Sequence, residues 1–323
     1  MILTFTPNPS VDATLSLDQP LAPGQVHRLR SVTRVAGGKG INVSHATALA
    51  GHPTVAVFPA ADHDPFLALA EEAMIPTHPV TMDGVIRMNT TVTEPDGTTT
   101  KLNGPGPHVS AELQATLERT LIDVATRTDA QWIVLAGSLP PGPDAQWYAH
   151  LVAQLRAQCP ALRIAVDTSD APMIELGRHF EHAAPHLIKP NGLELGQLVG
   201  ADGQGLEDAA AAGDFQPVVA AARTAVERGV ETVLVTLGGA GAVLVTAEGA
   251  WKATPPPIEV VSTVGAGDSS LTGYLLAQIA GAEPAERLRN AVAYGSAATA
   301  LPGTTLPRPE QLDHARTTVT ALS

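Results

Sequence analysis

Between residues 261 and 282 the chain reads VSTVGAGDSSLTGYLLAQIAGA. Gly265, Ala266 and Gly267 stand directly before an acid, Asp268, and a helix-forming run follows. The free N–H groups at a helix start, together with the helix dipole, attract an anion. Glycine at 265 and 267 lets the backbone approach that anion with no Cβ in the way. An idle carboxylate there would repel the anion. Facing a hydroxyl instead, it takes the proton while the amides hold the transferred charge, an arrangement suited to phosphoryl transfer. The competing reading is structural: Asp268 as the N-cap of a helix after a glycine turn.

Other segments supply company. AGGKGIN (36–42) again puts glycines before a helix, with Lys39 and Asn42 in its first turn. It lacks the spacing and the Ser/Thr of a Walker A loop, and no G-x-G-x-x-G follows the first strand. A tight turn with a solvated lysine is its structural reading. NPSVD (8–12) sets Asp12 just after the first strand, where Asn-Pro and Asp also favour a turn. The eleven histidines form no H-E-x-x-H pair, and Ser138 lies outside any G-x-S-x-G elbow, which argues against metallohydrolase and serine-hydrolase chemistry.

The elements that must hold these residues follow from periodicity. Strands are predicted at 1–6, 54–58, 132–136, 163–167, 186–189, 232–237 and 242–246. Helices are predicted at 39–50, 144–158, 191–199, 217–228, about 267–281 and 285–300. Strands alternating with helices imply a doubly wound, mostly parallel α/β sheet. Ligands of such sheets sit at the C-terminal ends of the strands. The loops GSLPPG (137–142), KPNGLE (189–194) and TLGGAGA (236–242) fall at those ends.

Two regions break the rhythm. Residues 11–35 and 85–104 are β-like, polar and turn-rich, and the runs 85–93 and 98–103 around PDG read as a hairpin. Together they predict a small sheet projecting from the main domain as a lid. Such a sheet is marginal alone and exposes its edges. Pairing with a second copy cures both faults, so a homodimer through this sheet is expected. Residues 201–216 (ADGQGLEDAAAAGDFQ) read as an exposed loop or insert with no assignable role.

Composition narrows the class. With 323 residues, 44% hydrophobic and only 16% charged, the chain is an ordinary globular protein. Aromatics are 3%, so the core must be built from Ala, Val, Leu and Ile. A net charge of −13 argues against nucleic-acid or acidic-membrane partners. The single cysteine, Cys159, excludes an internal disulfide and reads as a small buried hydrophobe. The opening MILTFTPNPS shows no basic leader, and no apolar run approaches a membrane span, so a cytoplasmic enzyme is expected.

NPSVD, GGKGIN, GSLPPG, KPNGLEL, VTLGGAGAVLV and STVGAGDSSLTGYL occur in the order and spacing of the ribokinase-like sugar kinases. On these motifs the chain resembles the PfkB carbohydrate kinase family over nearly its whole length. The resemblance implies one ribokinase-like kinase domain over 1–323, with ATP and Mg²⁺ as its requirements. NPSVD, RMN and TKLNGPGP look most like the branch that phosphorylates sugar phosphates. The implied acceptor is fructose 1-phosphate at its C6 hydroxyl, with tagatose 6-phosphate and fructose 6-phosphate as alternatives. A non-catalytic sugar-phosphate-binding regulator is the contrasting class, and the intact Asp268 and NGLE argue against it.

The resemblance also implies roles. Asp268 is the base, and the amides of Gly265, Ala266 and Gly267 form the anion hole. Asn191 and Glu194 match an NxxE element that positions Mg²⁺ through water. Lys189 and Asn191 lie near the nucleotide phosphates; Thr236, Gly238 and Gly241 form a loop beside ATP, and Thr263 and Val264 lead into the anion hole. On the sugar side stand Asp12, with Gly38, Lys39 and Asn42 beside it. Arg87 is the natural clamp for a phosphate already on the substrate. Lys101 is a second candidate whose other reading is a solvated strand charge. Ser138 contacts the phosphate or sugar, and Arg28 is a weaker candidate that reaches toward a partner subunit's site. LPGTTL (301–306) lies where relatives bind a monovalent cation such as K⁺, and its residues leave that requirement open.

Overall fold

The computed structural model describes residues 1–322. The strands are β1 (Ile2–Phe5), β2 (Ser10–Leu17), β3 (Leu29–Gly37), β4 (Thr54–Ala60), β5 (Thr77–Thr81), β6 (Arg87–Thr93), β7 (Thr99–Asn103), β8 (Trp132–Ala136), β9 (Arg163–Asp167), β10 (Leu187–Ile188), β11 (Thr232–Thr236), β12 (Ala242–Thr246), β13 (Gly249–Thr254) and β14 (Thr318–Leu322). The helices are α1 (Lys39–Leu49), α2 (Pro65–Glu72), α3 (Ala111–Arg127), α4 (Trp147–Gln158), α5 (Asp170–Arg178), α6 (Phe180–Ala183), α7 (Gly192–Val199), α8 (Gly203–Ala211), α9 (Gln216–Glu227), α10 (Ala266–Ile279) and α11 (Pro284–Thr299).

Ten strands form the main sheet in the order β14-β13-β12-β11-β10-β9-β8-β1-β4-β5. From β11 to β5 every neighbouring pair is parallel, and only β12, β13 and β14 run antiparallel at one edge. The central strands are apolar on both faces, as a sheet covered by helices on both sides requires. Strand β8 shows how: Ile133 and Leu135 enter a core with α3, α4 and α9, while Trp132, Val134 and Ala136 enter a second core with α10 and α11. Side-chain alternation along a strand feeds both layers.

Four strands form a separate sheet in the order β3-β2-β6-β7. The expected hairpin is present as the antiparallel pair β6–β7, and β2 bridges it to β3. The register puts Asp12 beside Asn89 on one face. On the other face Val11 lies beside Met88, and Leu15 beside Val32 and Val92.

The segment 201–216 departs from expectation. It contains the helix α8, not an open loop. Its glycines suggest a loop, but Leu206 and Ala210 are spaced one helical turn apart and are both buried. Cys159 is only partly buried, packed at the margin of the first core.

Candidate active site

The site is assembled from strand C-termini and helix N-termini. Helix α10 is buried for eight consecutive residues, Asp268 to Leu275, so its first turn is held by the packing of the whole element. It lies tight against α11: a Cβ on Gly295 would sit 2.2 Å from Ser270 Oγ. Gly265 precedes the helix in the left-handed region, φ +77°, a conformation that favours glycine. The amides of Gly265, Ala266 and Gly267 are thus gathered at the mouth of α10.

Asp268 is 7% exposed, and its Oδ2 accepts a hydrogen bond from Asn42 Nδ2 at 2.7 Å. Burial pushes its pKa up to about 6, and the nearby Asp167 carboxylate pushes the same way. Lys39, the Asn42 hydrogen bond and Lys189 restrain the rise. A carboxyl held there is ionised near neutrality yet basic enough to accept a proton.

Asp167, at the end of β9, is fully buried between two lysines. Lys39 Nζ donates to Oδ1 at 2.7 Å, and Lys189 Nζ lies 3.1 Å from Oδ2. Burial alone would raise the Asp167 pKa, but the two ammonium groups hold it below its ordinary value. Burial likewise would lower that of Lys39, yet Asp167, Glu194 and Asp268 together raise it. Lys189 also reaches the mouth of α10: a Cβ on Gly267 would lie 3.1 Å from its Nζ.

The loop after β10 carries Asn191 and Glu194 into the same region. Asn191 caps α7, with its Oδ1 accepting from the Glu194 N–H at 2.7 Å, while Glu194 Oε2 accepts from the Asn191 N–H at 2.9 Å. This reciprocal capping box fixes the side chain of Glu194. Its other oxygen faces Lys39 Nζ at 3.9 Å. Burial raises the Glu194 pKa against the pull of Lys39. The loop is tied to the next strand by the Thr236 N–H, which donates to the Pro190 carbonyl.

Two cavities flank this centre. One, about 550 Å³, is lined by Thr236, Gly238, Gly241, Thr263, Ala266 and Gly267, with Pro256, Ile258 and Val292 as apolar walls. Six residues expected from separated motifs therefore meet on one surface. Val264 lies in the loop just before the helix, its N–H bonded to Ser262 Oγ. The other cavity, about 740 Å³, runs beneath the small sheet and is lined by Asp12, Asn42, His45 and Arg308 among others.

On that side Asp12 Oδ1 accepts from Ser10 Oγ at 2.7 Å and from Asn89 Nδ2 at 3.2 Å. Burial raises its pKa, opposed by these two bonds and by Arg87 and Lys101. Gly37 leaves room for this carboxylate, since a Cβ there would overlap it. Gly38 makes the turn into α1 with φ +115°. Arg87 donates to the carbonyls of Gly104 and Asn8 and to Ser138 Oγ at 3.0, 3.1 and 3.2 Å. Its Nε is buried and finds no acceptor among the described residues.

Not every expected residue sits where it was expected. Lys39 pairs with Asp167 and Glu194, and Asn42, which lines the same cavity as Asp12, also donates to Asp268. Both residues sit in the first turn of α1. Lys101 is exposed on β7, and Arg28 is exposed just before β3. The sequence reading missed Asp167, Asn8 and Asn89. For Asp167 the signal was a lone acid ending the apolar strand RIAVD at the ligand edge of the sheet.

Among the described residues no group of three or more His, Cys, Asp or Glu stands ready to hold a metal, and no helix is long and apolar enough to cross a membrane.

Residues 6–311 match the model of the pfkB family carbohydrate kinases. The chain is 37% identical over 309 residues to a 1-phosphofructokinase of Haloferax volcanii, covering 95% of this chain and 93% of the relative. Among solved structures it is similar to phosphofructokinase-2 of Escherichia coli in complex with substrates and products, with a TM-score of 0.83, 30% identity and 96% of each chain covered. The same enzyme in complex with potassium gives a TM-score of 0.84, with 30% identity and 96% of each chain covered. With this match over nearly its whole length, the chain belongs to the pfkB family of carbohydrate kinases.

Proposed function

We propose that the chain is an ATP-dependent 1-phosphofructokinase, which phosphorylates fructose 1-phosphate at its C6 hydroxyl to give fructose 1,6-bisphosphate and ADP. One observation carries the reading: a buried carboxylate, Asp268, sits at the amide-rich mouth of α10 between two cavities, within the field of two lysines. Asp268 takes the C6 hydroxyl proton as that oxygen bonds the γ-phosphorus and the bond to the β–γ bridging oxygen breaks. The amides of Gly265, Ala266 and Gly267, with Lys189, hold the charge on the transferred group. Thr236, Gly238, Gly241, Thr263 and Val264 form the nucleotide side.

The residues fit magnesium as a phosphate-borne ion. Mg²⁺ keeps several waters and needs only one or two carboxylates beside phosphate oxygens, and Glu194 offers one oxygen to the site while the other is engaged in the capping box. When bound, the ion neutralises charge on the nucleotide phosphates. Asn191 and Glu194 would hold it, through water. A potassium ion beside residues 301–306 is a further proposal, supported by the potassium complex of the related phosphofructokinase-2.

On the acceptor side, Asp12 binds sugar hydroxyls. Arg87 clamps the existing phosphate with Ser138, and its buried, unpaired Nε is a donor suited to an anion. The small sheet is a lid whose closure excludes water, so that ATP is not hydrolysed. We also propose that the lid pairs with that of a second copy in a cytoplasmic homodimer, and that residues 1–323 act as one kinase domain.

The similarity to phosphofructokinase-2 of Escherichia coli, solved in complex with fructose 6-phosphate, favours that sugar as a second acceptor. A coupled ADP-release assay across fructose 1-phosphate, fructose 6-phosphate and tagatose 6-phosphate decides between them. The expected result is the highest kcat/KM for fructose 1-phosphate. A preference for either of the others overturns the assignment, and binding without turnover of any of them points to a regulator.

A further inference from the structure

We propose that Glu207, in the segment 201–216, is a positioning residue for the nucleotide side of the site: it holds the first turn of α7 and thereby fixes the aim of Glu194. The proposal rests on the assignment of Asn191 and Glu194 to the nucleotide and its magnesium ion.

Helix α8 is clamped onto α7 with the two backbones in contact. A Cβ on Gly203 would lie 2.7 Å from Leu193 Cα, and one on Gly196 would lie 2.5 Å from Gly203 Cα. Leu206 and Ala210 bury the inner face of α8 and fix its rotation. One turn after Gly203, Glu207 therefore lands over the start of α7. Its Oε1 accepts from the Gly192 N–H at 2.8 Å. The capping box already satisfies the N–H groups of Asn191 and Glu194. Glu207 adds Gly192, so three of the four N–H groups from Asn191 to Glu194 are secured.

A carboxylate at this end of a helix is also favoured by the dipole. The hydrogen bond of Glu207 goes to the Gly192 N–H, so its influence on Glu194 passes through that residue. With the first turn held, Glu194 keeps one oxygen on the Asn191 N–H and the other toward Lys39. Helix α8 also packs beside the short 3-10 turn Gly238–Ala240, part of the loop on the nucleotide cavity. The segment thus braces two nucleotide-side loops and none of the sugar-side residues.

The test is steady-state kinetics with both substrates varied and Mg²⁺ titrated. Glu207→Ala is expected to raise KM for MgATP, and the Mg²⁺ needed for half-maximal rate, by about five- to tenfold, less than the full worth of one charge-assisted hydrogen bond because the effect is passed on through Gly192. KM for the sugar phosphate should stay within about twofold. Glu207→Gln keeps an acceptor of the same reach and should restore most of the loss.

Gly192→Ala supplies an independent route, because its Cβ would lie 2.7 Å from Glu207 Oε1 and displace that side chain. It should reproduce the Glu207→Ala effect, and the double variant should be no worse than either single one. Unchanged nucleotide KM in Glu207→Ala, equal shifts for both substrates, or additive effects in the double variant would each overturn the proposal. Glu194→Gln is the control. If it raises nucleotide KM while Glu207→Ala does not, only the role of Glu207 falls. If Glu194→Gln changes neither nucleotide KM nor the Mg²⁺ requirement, the Glu194 assignment falls and the aiming role falls with it.

Discussion

Asn42 and Asp268, 226 positions apart in the chain, share a buried hydrogen bond of 2.7 Å. The donor is in the first turn of α1 and the acceptor in the first turn of α10, so two helix N-termini are tied together at the carboxylate proposed as the base. The bond favours the ionised acid, while burial and Asp167 favour the protonated one. A base works only when deprotonated, so activity should fall as pH drops through a value near 6. In Asn42→Ala the stabilising bond is lost and the pKa of Asp268 rises. The acid limb of kcat/KM should move to higher pH by roughly one unit. A limb that stays in place, or moves to lower pH, contradicts this coupling.

Asp268→Asn keeps the size of the side chain and removes its basicity. The expected loss in kcat is roughly 100- to 10,000-fold, the ordinary worth of a general base. Binding of sugar and nucleotide, read by calorimetry, should largely survive. A fall of less than about tenfold would mean that another group takes the proton.

Much of this site was legible because its parts obey local rules. GSLPPG, KPNGLE and TLGGAGA each place small or polar residues after an apolar strand, and the structure sets all three at the ligand edge of the sheet. The capping box of Asn191 and Glu194 is a four-residue pattern, readable without a fold. Asp167 is different. Its role exists only because Lys39 and Lys189 converge on it from other segments, and no local spacing announces that. For the same reason the pairing of Lys39 with Asp167 is not legible: the sequence puts Lys39 at a helix start but does not say which way that helix faces. Strand β14 was missed because it is a five-residue edge strand with no fully buried side chain. Helix α8 was misread because its glycines serve close helix packing, a use that is indistinguishable from turn chemistry until the neighbour is known.

Asp167 should be as costly to remove as Asp268 is to neutralise, but in stability. Asp167→Asn leaves Lys189, almost fully buried, and Lys39, about a third exposed, without their shared counter-charge. Breaking a buried ion pair from one side costs about 3 kcal/mol or more, and the melting temperature should fall by roughly 5–10 °C. The same change removes a carboxylate that raises the pKa of Asp268. The acid limb should therefore shift to lower pH, opposite to the Asn42 variant. A melting temperature within about 2 °C of the parent would show that the two lysines do not depend on this acid.

Arg87 is held by two carbonyls and Ser138, which aims the guanidinium before any ligand arrives. Arg87→Ala should raise KM for the phosphorylated sugar by at least about tenfold while KM for ATP changes by less than about threefold. Arg87→Lys retains charge but not the planar fork, and should recover only part of the loss. Equal effects on both substrates would place the clamp elsewhere.

The small sheet has one polar and one apolar face. Asp12 and Asn89 lie on the polar face, and Asp12 lines the larger cavity. Among cross-strand neighbours on the other face, Val32, Met88 and Leu102 are 47, 49 and 60% exposed. Exposed apolar side chains clustered this way on the outer part of the sheet, beyond the buried Val11 and Ala36, favour a partner surface, and the free edges at β3 and β7 add unpaired backbone groups. A second copy would cover both. Leu102→Asp should therefore weaken self-association by about 100-fold, seen as a shift from dimer to monomer in sedimentation at micromolar concentration. The substitution lies on the face away from Asp12, so a monomer that still binds nucleotide would separate assembly from folding. A parent chain that sediments as a monomer, or a variant that remains dimeric, would remove the lid from the interface.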